Sequence, residues 1–85
     1  MAEWNGTATR VFHSAAEAMR EMAKAQNMGE MQDCVMAKLQ DDSANFGYMQ
    51  ASMLELKRVE INQLSYGRWL VTFFYRCRLE VKDNA

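Results

Sequence analysis

Apolar residues between Met28 and Leu56 return at steps of three, four and seven: Met28, Met31, Val35, Leu39, Phe46, Met49, Met53 and Leu56. Side chains three and four positions apart share one face of an α-helix, so this spacing describes a single seam. Asp42 is the one polar interruption in it. The chain has no proline and only four glycines, so little opposes helix propagation. The spacing predicts a helix over 28–56, with a bend or break at 41–47, where Asp-Asp-Ser-Ala-Asn-Phe-Gly has the composition of a loop.

A second helix is expected upstream, over 14–26. Ser14-Ala15-Ala16-Glu17 has the form of a capping box, in which the serine oxygen takes an orphan N–H and the glutamate reaches back. Ala15, Ala18, Met19, Met22 and Ala25 form its apolar face, with Arg20, Glu21 and Lys24 opposite. Asn27, followed by Glu30, reads as the N-cap of the next helix, and Gly29 weakens any continuous helix through the break.

Beyond Leu56 the period changes. Ser65-Tyr66-Gly67 reads as a turn, and 69–81 is rich in β-formers. Val71, Phe73, Tyr75, Cys77, Leu79 and Val81 alternate with polar residues that include Thr72, Arg76, Arg78 and Glu80. A heptad through Leu70, Phe74, Cys77 and Val81 keeps a helical reading open, but propensity favours a strand. The fold class this implies is mainly α: an amphipathic helical hairpin with an aromatic, strand-like C-terminal segment at 68–81. The alternative is a compact α+β domain in which residues 7–13, 58–64 or both pair with 68–81. Either way, 85 residues support one domain over 1–85.

Composition narrows the function classes. A net charge of −1 gives no overall argument for nucleic acid or an anionic membrane. Residues 1–56 carry −4 and residues 57–85 carry +3, so an acidic body and a basic tail could attract each other within one chain or between copies. Two cysteines make no disulfide framework, no signal-peptide pattern opens the chain, and no apolar run is long enough for a transmembrane segment. A cytoplasmic location is the expectation. A core this small is thin, which makes self-association or a partner an effective source of stability.

No constellation outweighs its bland reading. Met19, Met22, Met28 and Met31, with Cys34 nearby, have a spacing that suits Cu(I), but each falls on the expected buried stripe, where methionine serves as an adaptable filler. His13 is the only histidine and has no nucleophile paired with it in sequence; Cys34 and Cys77 lie on apolar faces, where free cysteine behaves as a small hydrophobe. Gly29, Gly47 and Gly67 are isolated, so no phosphate-binding loop is present. The expectation is a chain that is not an enzyme and has no metal or cofactor.

The run Ala-Glu-Ala-Met-Arg-Glu-Met-Ala-Lys-Ala at 16–25, the Asn-Met-Gly-Glu-Met break at 27–31, and a following segment with Gln32, Tyr48, Met49 and Leu54-Glu55-Leu56 resemble the helical core of the phasin family, proteins that coat polyhydroxyalkanoate granules. The resemblance spans 16–56. It implies a non-enzymatic, oligomerising protein that lays apolar helix faces on a hydrophobic surface.

The leading functional expectation is a non-catalytic interaction protein. It self-associates, or binds a protein or hydrophobic surface, through its amphipathic helices. One alternative is a small inhibitor or adaptor, of the type mobile elements encode, that binds a host protein through its acidic helical body. Another is single-stranded nucleic-acid binding through the basic aromatic tail, where aromatic faces stack bases and arginines take phosphates. Candidate partner-binding residues are Phe74, Arg76 and Arg78 on the outward side of the tail, Asp41 and Asp42 on the acidic body, and Tyr48. A homo-oligomer or a protein partner is expected ahead of nucleic acid.

Overall fold

A computed structural model describes residues 2–81, the side chain of Ala25 apart. The order of elements is β1 (Ala2–Phe12), α1 (Ala15–Met22), α2 (Ala25–Phe46), β2 (Tyr48–Gln50), β3 (Glu55–Gln63), a 3-10 turn at Ser65–Gly67, and β4 (Trp69–Val81). The mainly helical hairpin is therefore corrected. The fold is α+β, with two helices and a four-stranded antiparallel sheet. Lys82 and Asp83, counted in the basic tail, lie outside the described residues.

The helix expected over 28–56 stops at Phe46. Gly47 takes a left-handed conformation (φ 70°, ψ 27°) and its N–H returns to the Ser43 carbonyl, a C-cap that glycine adopts without a Cβ clash. The second half of the seam is thus not helical. Met49 lies in β2, Met53 in the connection after it, and Leu56 in β3. The phasin-like helix through Tyr48, Met49 and Leu54-Glu55-Leu56 is absent for the same reason. A long neighbouring strand offers these residues a row of backbone partners, and that outweighs a helical apolar period with no surface to pack on.

Ser14 caps α1 as expected: its Oγ accepts the Glu17 N–H at 3.1 Å. The Glu17 carboxylate accepts the His13 N–H at 2.9 Å, one residue before the capping-box position. α1 ends at Met22, short of residue 26, and α2 begins at Ala25 with Lys24 before it. Asn27 is therefore not an N-cap. Its side chain donates to the Glu21 carbonyl and carboxylate and accepts from Arg10, tying both helices to β1.

β4 is the centre of the sheet. β1 pairs with it antiparallel from Ala2 opposite Leu79 to Phe12 opposite Trp69. On the other side lie β3, from Glu55 opposite Arg76 to Gln63 opposite Trp69, and β2, opposite residues 79–81. β2 and β3 form one interrupted strand. In the interruption, Ala51 N–H donates to the Arg78 carbonyl (2.8 Å) and Ser52 Oγ accepts the Arg78 N–H (2.9 Å), while Leu54 turns into the core.

The period-two pattern of 69–81 becomes the inner face of β4. Val71, Phe73, Tyr75, Cys77 and Leu79 are buried there against Ala8 and Phe12 of β1 and Ala18, Met31, Val35 and Leu39 of the helices. The pattern runs out at Val81, which is 71% exposed. The molecule measures 54 × 24 × 17 Å, a long sheet with a single helical layer on one face. Two expectations about the methionine stripe fail. Met31 is buried and Met22, Met28 and Met36 pack around the core, but Met19 is 73% exposed. Cys34, expected on an apolar face, is exposed. Among the described residues no helix is long and apolar enough to cross a membrane.

Candidate functional site

The six residues singled out in the sequence do not form one surface. Phe74, Arg76 and Arg78 lie on the helix-free face of β4, as the alternation requires. Phe74 is half-buried beneath the Arg58 guanidinium, 4.1 Å from its ring centroid. Arg76 donates from Nε to the Glu55 carboxylate at 2.9 Å. Asp41 is exposed on α2, and Asp42 accepts the Trp4 indole N–H at 2.8 Å, so it braces β1 against α2. Tyr48 packs against the core.

The helix-free face carries both signs of charge in close pairs. Glu55 neutralises Arg76, and Glu60 lies 3.2 Å from Arg58. The Arg76 guanidinium, by its hydrogen bond, holds the Glu55 carboxyl below the ordinary glutamate range, and Glu55 in turn raises Arg76. Beside the first pair is a shallow cleft lined by Ala2, Glu3, Ser52, Met53, Leu54, Glu55, Arg76 and Arg78. Ser52, one of its lining residues, also meets Cys77 on the core side of β4, where the buried thiol donates to the Ser52 carbonyl at 3.1 Å. A nucleophile there would need a base. His13 follows the opposite end of the sheet, about 26 Å away along β4 from the Trp69 rung to Cys77. Among the described residues no three His, Cys, Asp or Glu side chains cluster as metal ligands.

The surface that stands out lies on the other face, at the sheet edge. Leu56 is opposite Tyr75, Val59 opposite Phe73 and Ile61 opposite Val71, so these three share the face that carries the core. Yet Tyr75, Phe73 and Val71 are at most 4% exposed, while Leu56, Val59 and Ile61 are 40%, 43% and 55% exposed. The helices stop short of them. α2 leans toward β1, held there by Lys38 Nζ on the Thr7 carbonyl (2.7 Å), Asp42 on Trp4, and Glu30 and Asn27 on Arg10. At about 100° per residue, the flank of α2 turned away from β1 carries Gln32, Met36 and Ser43, none of them charged. An apolar floor thus runs out from under α2 to a nine-residue strand whose every residue is exposed. Among the described residues no side chain bonds to the backbone of β3, which leaves its outer row of N–H and C=O groups open.

Sequence reasoning missed this surface because Leu56 reads as the end of a helical seam, and the alternation of Val59 and Ile61 with polar residues does not say whether their face is covered. Alternation locates the face, but burial depends on where the helix lies. In comparisons with models of protein families, with curated proteins and with solved structures, the chain finds no match.

Proposed function

We propose that this chain is a non-catalytic protein-interaction module whose working surface is the open edge of β3 with its Leu56–Val59–Ile61 stripe. The observation that carries the reading is the abrupt change in exposure between neighbouring strands on one face, from the buried row of β4 to the open row of β3. An edge strand offers main-chain hydrogen bonds to an incoming strand, and alternate side chains supply selectivity. Natural edges are blunted by lysines and bulges, and β3 has both at Lys57, where its register with β4 shifts. The apolar stripe has no such protection.

This reading relocates the interaction surface from the amphipathic helices to the sheet. The acidic-body alternative draws less support, since Asp42, Glu30 and Glu21 are engaged by Trp4, Arg10 and Lys24 within the chain. Nucleic-acid binding through the tail also draws less, because Arg58 and Arg76 on the helix-free face each have a glutamate partner. The test is affinity capture from native lysate, comparing the wild-type chain with a Val59→Lys/Ile61→Lys variant and a Met19→Lys control. The expected result is a companion protein, copies of the chain itself included, retained by wild type and control and lost with the β3 variant. Identical captures by all three would overturn the proposal.

A further inference from the structure

The order of side chains along β3 says what fits it. Lys57 is bulged: β4 residues 76, 75, 74, 73, 72, 71 and 70 face Glu55, Leu56, Arg58, Val59, Glu60, Ile61 and Asn62 in turn, with Lys57 passed over. Any strand added to the outer edge meets the same ladder, because the extra residue belongs to β3 itself. With Lys57 removed from the count, the apolar stripe is symmetric. Leu56 lies two rungs to one side of Val59 and Ile61 two rungs to the other, all on the core face.

Resting on the reading that β3 is a binding edge, we infer that its occupant is a second copy of this chain, paired antiparallel about a two-fold axis through Val59. In that register Val59 meets its own counterpart, and Leu56 of each copy meets Ile61 of the other. On the opposite face Arg58 of each copy meets Glu60 of the other, which gives two ion pairs across the axis, and Glu55 meets Asn62. Cross-strand pairs of this kind, apolar with apolar and opposite charges with each other, are the unit of sheet stabilisation.

Neighbouring registers fail on the same criteria. Centring on Arg58 sets Arg58 against Arg58, and centring on Glu60 sets Glu60 against Glu60. Centring on Ile61 places Val59 opposite Gln63 and leaves both charges without a mate. Arg58 and Glu60 already lie 3.2 Å apart on one strand, so in the dimer four charges form one alternating cluster. An isologous interface of this type needs only one surface to be self-complementary, and β3 is. The product is a continuous six-stranded-wide sheet, counting β2 and β3 as one strand per copy, with all helices on one side.

The experiment is sedimentation velocity with light scattering on the purified chain and its charge variants. Wild type is expected to shift from monomer to dimer with concentration in the micromolar range. Arg58→Glu and Glu60→Arg should each weaken the dimer by roughly tenfold or more, because each sets like charges together on both sides of the axis. An equimolar mixture of the two single variants should recover dimer, as should the double variant Arg58→Glu/Glu60→Arg, since both arrangements restore opposite charges at every rung. Circular dichroism confirms folding of each variant, and concentration-dependent protection of the β3 amides in wild type gives a readout free of mutation. A wild-type chain that stays monomeric, or a dimer indifferent to both reversals, would overturn the inference. A monomer that still captures a companion from lysate in a β3-dependent way leaves the binding-edge reading standing and removes only self-pairing.

Discussion

β1 and β3 are both edge strands, and both pair antiparallel with β4 over nearly the same residues. They differ in what lies above and beside them. β1 is held to α2 by the Lys38, Asp42, Asn27 and Glu30 contacts, and its inward residues Ala8 and Phe12 are buried. β3 has the same inward alternation and no contact of this kind among the described residues. A strand's own sequence therefore sets which way its side chains point, and the placement of a single helix decides which strand is core and which is surface. Polar contacts at the rim add to the apolar packing of Met31, Val35 and Leu39 against Ala8 and Phe12 in holding α2 to its side of the sheet.

The contrast can be broken from either side. The largest expected effect is from Phe12→Ala, which empties a 3%-exposed position on β1 and should cost about 3–5 kcal/mol in denaturant unfolding. Ile61→Ala, a truncation on the same face of β3, should cost about 1 kcal/mol or less in the monomer. Equal losses would show that β3 is covered after all. Next is Gly6→Val. The Trp4 indole lies over Gly6, and a Cβ there would collide with the ring, so the indole must leave and its bond to Asp42 is lost. The expected cost is about 1–3 kcal/mol. In a Trp69→Phe background, a red shift of the remaining Trp4 emission reports the displacement.

Lys38→Ala should be milder, about 0.5–1 kcal/mol, since it removes one hydrogen bond to the Thr7 carbonyl. Its sharper readout is hydrogen exchange: β1 amides should exchange faster while those of β3 stay unchanged. The smallest effect concerns acid. Glu55 has its folded-state pKa depressed by Arg76, so its contribution is present above the ordinary glutamate value of ~4.3 and is lost as pH falls through the lower folded value. Thermal melts across that window should show a slightly smaller acid-side loss for Glu55→Gln than for wild type.

Much of this arrangement can be read from the residues. Ser14 followed by Glu17 marks the α1 start, and the alternation from Val71 to Leu79 marks β4, because both signals are local and backbone-driven. The stop at Gly47 lies within 41–47, the segment whose composition suggests a break. What misleads is that Met49, Met53 and Leu56 continue a helical register by spacing alone, although no partner surface exists for such a helix. The bulge at Lys57 is not legible in one sequence, since it shows itself only against β4. The exposure of Leu56, Val59 and Ile61 is hidden for a related reason: it depends on α2 leaning toward β1, and the residues that draw it there are far apart in the chain. Of the six candidate site residues, Phe74, Arg76 and Arg78 have the outward orientation their alternation implies, whereas Asp42 and Tyr48 serve packing within the fold.

The pairing of β1 with β4 also has a kinetic consequence. The ladder joins the first strand of the sheet to its last, from Ala2 opposite Leu79. During synthesis β1 and both helices emerge well before the strand that completes their core, and α2 has no full apolar floor until β4 arrives. Non-local pairing of this sort slows folding relative to a local helical hairpin, and it places the formation of the central ladder after the loop that contains every other element has closed. Refolding should therefore be limited by the meeting of β1 and β4, with α1 and its Ser14 cap free to form beforehand.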